Sequence, residues 1–283
     1  IVTPLASVIT NIQYDHQKYL GETLASIATE KAGIIKPRIP VITGTDCPEA
    51  LEVIAETARR RSAPLTVVPP GDAHAAPLDS AQFPLLGEHQ KRNAALALAV
   101  TRALQQVIPV DDAAMRAGLA AVDWPGRLQL VSLPGGRRIL LDGAHNVGGA
   151  ETLASALDEY FPGVQPSLIL GILRDKDWAH MCEILAPIAG RILLVPVHSE
   201  RTAEPHGLAE VCHRANPRAG VTECGSLREA LASSAQDAFV AIAGSLYLIG
   251  EAMELLHVSA AKSSNERALN EWGDASQPAH SAR

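Results

Sequence analysis

The sequence predicts an α/β protein whose larger part is a mostly parallel sheet wrapped by helices. Three observations predict it. First, apolar runs at 138–141, 167–172, 191–197, 220–224 and 238–243 alternate with helical stretches at 149–160, 177–188, 205–214, 226–234 and 246–257, the rhythm of βαβ units. Second, the run Arg138 to Leu141 delivers Asp142 into the turn Gly143-Ala144-His145-Asn146-Val147-Gly148-Gly149. Acidic, Gly-rich strand ends are where open α/β sheets hold ligands, because glycines let the main chain approach closely. The same turn also reads as a tight strand-to-helix connection with a capping Asp and a surface His. Third, 283 residues with 47% hydrophobic and 19% charged content suffice for two domains with their own cores.

Taken in order, Leu5 to Ile12 reads as a short buried strand that runs out into Asn11-Ile12-Gln13-Tyr14-Asp15-His16. Thr23 suits the N-cap of the next helix. On that helix Leu24, Ile27, Ala28 and Lys31 fall at i, i+3, i+4 and i+7, so Lys31 is expected to share the apolar face. A lysine there must snorkel, meet an anion or lose its charge. Gly33 stops the helix. Val41-Ile42-Thr43 reads as a strand, Pro48 to Arg60 as a helix and Leu65 to Val68 as a strand, followed by a polar, Pro-bearing excursion from Pro69 to Pro84. Glu88 to Leu104 is an Ala/Leu-rich helix, apolar on most sides and expected to be buried. Its exception, Asn93, is either a satisfied core amide or a ligand contact near a helix start. A helix from Asp111 to Ala121 ends the first region. After Trp124, the strand Leu128 to Leu133 and the turn Pro134-Gly135-Gly136 lead into the alternating part. There the polar residues collect just past strand ends: Asp142 and His145, then Arg174-Asp175-Lys176-Asp177, His198 and Ser245. Residues 259–283 turn to Ser, Ala, Asn and mixed charge and are expected to form a disordered tail.

A net charge of −7 without any Lys/Arg run argues against a nucleic-acid partner. No apolar stretch approaches the roughly 20 residues that span a bilayer, and no signal peptide opens the chain, so no membrane partner is expected. Cys47, Cys182, Cys212 and Cys224 are scattered without a Cys-x-x-Cys pair and read as reduced thiols of a cytoplasmic protein. The first residue is Ile1, inside what reads as a running strand, so a fragment is expected.

Four separated blocks resemble one family when taken together. They are Asp15-His16-Gln17-Lys18-Tyr19-Leu20-Gly21 running into Glu30-Lys31-Ala32-Gly33-Ile34-Ile35-Lys36-Pro37; Gly87-Glu88-His89-Gln90 with Asn93-Ala94; Trp124-Pro125-Gly126-Arg127; and Asp142-Gly143-Ala144-His145-Asn146. With Lys176-Asp177 and Gly244-Ser245-Leu246-Tyr247 added, the chain resembles folylpolyglutamate synthase/dihydrofolate synthase, of the Mur ligase superfamily, from about Val8 to Leu256. The resemblance implies part of a central ATPase domain over 1–123 and a Rossmann-like, parallel-sheet C-terminal domain over 124–258, with ATP across the joint. The reaction it implies activates a dihydropteroate or folate carboxylate as an acyl phosphate, which the amine of L-glutamate attacks. Cations must surround the transferring phosphate, since its charge is neutralised without covalent help.

The same resemblance places His16 at a Mg2+ ligand and Lys31 at a lysine that is carbamylated. It places Asn93, Arg127, Asp142 and His145 around ATP. A carbamate would turn an awkward cation on an apolar face into an anion near the metal, and burial would favour the neutral amine that carbamylation needs. Arg127 presents a fixed fork of donors suited to phosphate. Asp142 is expected to accept from ribose or orient the nucleotide, and His145 to lie near adenine. Ser245 either lines the glutamate pocket or caps a helix. Val147 departs from the proline usual at that point. A larger departure is the absence of a Gly-x-x-Gly-Lys-Gly-Ser loop: neither Gly-Lys-Ser nor Gly-Lys-Thr occurs anywhere, so the chain resembles the C-terminal two-thirds of such an enzyme, a monomer when complete. Two alternatives stand beside this one, a Mur-type ligase acting on a cell-wall precursor and a non-catalytic nucleotide-binding module.

Overall fold

Three short strands open the chain: β1 (Ser7–Ile9), β2 (Val41–Thr43) and β3 (Leu65–Val67), parallel and in the order β1-β2-β3. The computed structural model describes residues 2–14 and 20–258. The tail expectation for 259–283 therefore lies outside the described residues, as does His16. Side chains alternate across a strand, so Val41 of the central strand joins one core and Ile42 the other. On Val41's side pack α1 (Leu24–Ala32) and α2 (Pro48–Arg60), through Ile27, Ala28, Ile54 and Ala58. On Ile42's side lie α3 (Glu88–Ala103) and α4 (Asp112–Ala120), through Leu96, Leu98 and Leu119.

Three expectations change here. The first strand is shorter than Leu5 to Ile12, covering Ser7–Ile9 alone. Thr23 caps α1, its Oγ1 accepting from the Ser26 N–H at 3.1 Å, but Lys31 is exposed. The buried stripe runs Ile27, Ala28, Ala32: the i+4 step from Ala28 lands on Ala32, and Lys31 is turned off the face. The desolvation that made a carbamate attractive is therefore absent. In α3, expected to be buried on most sides, Ala94, Ala95, Leu96 and Leu98 are covered whereas Asn93 and Ala97 are exposed. Asn93 is not a core amide.

The second region is a six-stranded sheet in the order β4-β5-β9-β6-β7-β8. Its strands are β4 (Gln129–Ser132), β5 (Arg138–Leu141), β6 (Ser167–Leu170), β7 (Arg191–Leu194), β8 (Gly220–Glu223) and β9 (Phe239–Ala243). The 134–136 turn makes β4 antiparallel to β5, and every other pair is parallel. Helices α5 (Val147–Tyr160), α6 (Trp178–Leu185) and α7 (Pro205–Ala215) cover one face. Helices α8 (Leu227–Ser233) and α9 (Leu246–Leu255) cover the other. The strand sequences explain this double winding. Leu140, Leu168, Leu170 and Ala241 point to the first core, and Ile139, Ile169, Val240 and Ile242 to the second. Strands buried on both faces read as continuous apolar runs. Helix α5 starts at Val147 rather than at 149, because the Asn146 side chain caps it by accepting from the Gly149 N–H at 2.8 Å. Among the described residues no helix is long and apolar enough to cross a membrane.

Candidate functional site

At the carboxyl end of β5 the chain leaves the sheet and is tied down at once. Asp142 donates its N–H to the Ile242 carbonyl, prolonging the ladder with β9. Its side chain then stitches two loops together. Oδ2 accepts from the Leu128 N–H and Oδ1 from the Ala144 N–H, each at 2.9 Å. The Gly143 N–H adds a third stitch to the Gly126 carbonyl at 2.8 Å. Leu128 is held at φ 45°, a left-handed conformation that a leucine adopts only under such constraint. Asp142 is therefore first a clamp, and any contact with a ligand is additional to these two bonds. Burial pushes its carboxyl above the ordinary aspartate value, against the two backbone N–H bonds and the nearby Arg127 and His145, which act to lower it.

The clamp positions Arg127. A Cβ on Gly143 would stand 2.7 Å from Arg127 Nη1 and 2.5 Å from Leu246 Cδ2, so glycine is what lets the guanidinium cross the loop. His145 Nδ1 lies 2.8 Å from the Gly143 carbonyl oxygen. A carbonyl only accepts, so Nδ1 carries the proton.

The other side of the site comes from the first region. Gly87, at φ 97°, opens α3 and donates its N–H to the Tyr160 hydroxyl at 3.3 Å, joining the two regions. Beyond it, His89, the buried Gln90 and Asn93 follow on the first turns of α3, and Asn93 Nδ2 donates to Gln90 Oε1 at 3.2 Å. Burial, then the positive charge of Arg127, pushes His89 below the ordinary histidine value. Arg92 pairs with Asp46 at 2.6 Å and holds that carboxyl below its usual range. From the end of β1, the Gln13 amide lies over Gly148 at the start of α5.

These groups surround a cavity of about 310 Å3 between the strand ends of the two sheets. Asn93, Arg127, Asp142 and His145, singled out from the sequence, all line it. An apolar groove of about 660 Å3 between α3 and α4 adjoins it and shares Gln90, Asn93 and Arg127. Two other predicted residues lie elsewhere. Lys31 is exposed on α1 away from the cavity lining. Ser245 is buried and caps α9, its Oγ accepting from the Tyr247 N–H at 3.2 Å. The polar loop after β6 also stays outside: Asp175 is engaged by Arg201, whose Nε donates to Oδ1 at 3.0 Å. His198 lines a separate shallow depression with Glu200 and Glu251.

Sequence reasoning gave no role to His89, Gln90, Arg92 or Gln13, which also line the cavity. The signal for Gln13 was available, because it follows a strand end just as Asp142 does. Gln90 and His89 stand just before Asn93 on the same helix, and a histidine and a glutamine at a helix start carry no distinctive signal.

What can such a cavity hold? Its polar donors, the glycines Gly143, Gly148 and Gly149 along one wall and the guanidinium groups of Arg92 and Arg127 fit an anionic, sugar- or amide-bearing ligand of nucleotide size better than an apolar one. Among the described residues no three His, Cys, Asp or Glu side chains gather as metal ligands, so a magnesium site is not assigned here.

Residues 126–246 match the Mur ligase, glutamate ligase domain. The chain is 36% identical over 280 residues to folylpolyglutamate synthase of Lacticaseibacillus casei, covering 90% of this chain and 63% of that protein. It is 32% identical to dihydrofolate synthase/folylpolyglutamate synthase of Bacillus subtilis, covering 89% and 62%. Among solved structures, E. coli FolC in complex with DHPP and ADP superposes with a TM-score of 0.75 at 28% identity, over 89% of this chain and 61% of that one. Mycobacterium tuberculosis folylpolyglutamate synthase complexed with ADP gives 0.74 at 30% identity, over 88% and 63%. The chain thus spans a little over three-fifths of the length of the curated relatives it matches (63% and 62%). Residues 126–246 therefore carry a Mur ligase, glutamate ligase domain, and the chain as a whole, first region included, is similar to folylpolyglutamate synthase/dihydrofolate synthase enzymes.

Proposed function

We propose that the protein to which this chain belongs is an ATP-dependent ligase that joins L-glutamate to dihydropteroate, to folate or to both, acting in the cytoplasm as a monomer. One observation carries the reading: Arg127, Asp142 and His145 of the glutamate ligase domain face Asn93 of the first region across one cavity. In this reading residues 1–123 are the C-terminal part of an ATPase domain and 124–258 the glutamate ligase domain. ATP is the substrate held between them, with Mg2+ as its counter-ion. The acceptor carboxylate attacks the γ-phosphorus, ADP leaves, and the glutamate amine then displaces phosphate from the acyl phosphate. Arg127 supplies positive charge to the phosphate side, where its fork of donors gains most as charge moves. Asp142 fixes the loop that carries Arg127, and His145 and Asn93 contact the base and ribose side. Ser245 shapes the glutamate pocket through the start of α9. His16 as magnesium ligand and Lys31 as carbamate rest on the family resemblance alone. The relatives named above support folate over a cell-wall precursor.

The test is ADP release by the whole protein with dihydropteroate, glutamate, ATP and magnesium. Arg127→Ala should lower kcat about a hundredfold, more than it weakens nucleotide binding. Kinetic constants near wild type would overturn the assignment. Residues 1–283 alone, which contain no Gly-Lys-Ser loop, should bind nucleotide without turnover.

A further inference from the structure

Among the described residues, His89 lines the cavity with one ring nitrogen buried and unpartnered. Its Nδ1 is buried and makes no hydrogen bond. The Nδ1–Cε1 edge lies against Gly87, where a Cβ would stand 2.6 Å from Nδ1 and 2.5 Å from Cε1. Gly87 sits at φ 97° and is pinned through its own N–H to Tyr160, so the seat is fixed on both sides. The opposite edge, Nε2 and Cδ2, is what the ring has left to line the cavity beside Arg127. A buried polar atom left unpaired is costly, so a ring seated this way calls for a reason.

The seat also dictates the protonation state. An imidazolium needs acceptors at both nitrogens, and Nδ1 has none. The burial and the Arg127 charge that lower the His89 pKa act in the same direction. The ring is therefore neutral, and its single proton belongs on Nε2, where a ligand can accept it. We propose that His89 is a ligand-binding residue that presents a neutral Nε2–H donor, next to the Arg127 guanidinium, to a phosphate oxygen of the bound nucleotide. This rests on the nucleotide reading above and deepens it. Arg127 supplies the charge and His89 a directional bond that carries no charge of its own. The arrangement differs from that of His145, whose Nδ1 proton is committed to the Gly143 carbonyl.

The experiment is calorimetric titration of ADP and of adenosine into the 283-residue chain and its His89→Phe and His89→Gln variants. Nitrogen-15 NMR of the wild-type imidazole accompanies it. His89→Phe keeps the ring and should weaken ADP binding about tenfold, with adenosine affinity unchanged. His89→Gln restores a donor and should recover part of the loss. The NMR spectrum should show the proton on Nε2 between pH 6 and 8, and that nitrogen should shift on ADP addition. An unaltered ADP affinity in His89→Phe, an equal loss for adenosine, or a proton found on Nδ1 would each overturn the proposal. If wild type binds no ADP, the nucleotide reading itself falls and the proposal with it, an outcome separable from wild-type binding that ignores His89. Should His89→Phe fail to fold by circular dichroism, His89→Gln and the wild-type NMR arm decide.

Discussion

The central strands β6 and β9 of the six-stranded sheet bury every residue, whereas in the three-stranded sheet β2 alone does so. There β1 exposes Val8 at 37% and β3 exposes Val67 at 42%. With three strands, one is interior and two are edges, so most of that sheet's covering comes from α1, α2 and α3. The six-stranded sheet has four interior strands and two well-filled cores. The cavity lies between unequal partners. The Asp142 clamp belongs to the firmly packed half, and His89 and Asn93 belong to the half with less buried surface. Local stability follows buried apolar contact, so the first region should be the more adaptable wall.

The largest test of this contrast is cavity formation at matched positions. Ile169→Ala, at a fully buried site in β6, should cost about 3–4 kcal/mol in urea unfolding. Val67→Ala in β3 should cost less than about 1 kcal/mol, because much of the side chain is already exposed to water. Equal losses would break the comparison.

A smaller effect should follow from the clamp. Asp142→Ala leaves the Leu128 and Ala144 N–H groups without their acceptor, and should destabilise the second region by about 2 kcal/mol. Hydrogen exchange would sharpen the point: amides at 126–128 and 142–144 should lose protection while those of β1 to β3 keep theirs.

The smallest effect is a difference in sign between two carboxylates. Asp142 is raised above 3.8, chiefly by burial. Between 3.8 and its folded value the native form retains a proton that the unfolded chain gives up, so its contribution to stability is full below 3.8 and is lost as pH rises through the folded value. Asp46 is lowered from 3.8, chiefly by the hydrogen bond from Arg92. Its contribution is full above 3.8 and is lost as pH falls through the folded value. The pair is partly exposed, so its contribution should stay under about 1 kcal/mol. Comparing wild type with Asp142→Ala and with Asp46→Ala across acid pH should give slopes of opposite sign, and parallel slopes would refute the assignment.

Much of the second region was legible because its strands are buried on both faces, and an unbroken Leu-Ile-Leu run between turn residues has few other readings. The turn at Asp142 was legible as a ligand edge, but its carboxylate turned out to be spent on the Leu128 and Ala144 N–H groups, a long-range pairing that no local pattern reveals. Lys31 shows the limit of periodicity. One position decides whether a side chain is under or beside its neighbour, and Ala32 took the place that Lys31 was given. Helix α3 erred in the other direction. Its alanines mark a thin side chain layer and say nothing of what lies above them, which over Ala97 is a groove. His89 escaped notice because a histidine at a helix start has many uses, and only the unpaired Nδ1 separates this one from the rest.

At the far end of the cavity, Gly148 meets the Gln13 amide so closely that a Cβ would fall 2.2 Å from Oε1. Gln13 belongs to the first region and Gly148 to the second. The two halves of the molecule therefore rest on each other at a point where one carries no side chain at all. A single methyl group there would act as a shim, and the spacing of the whole cleft is gauged by a hydrogen atom on the main chain.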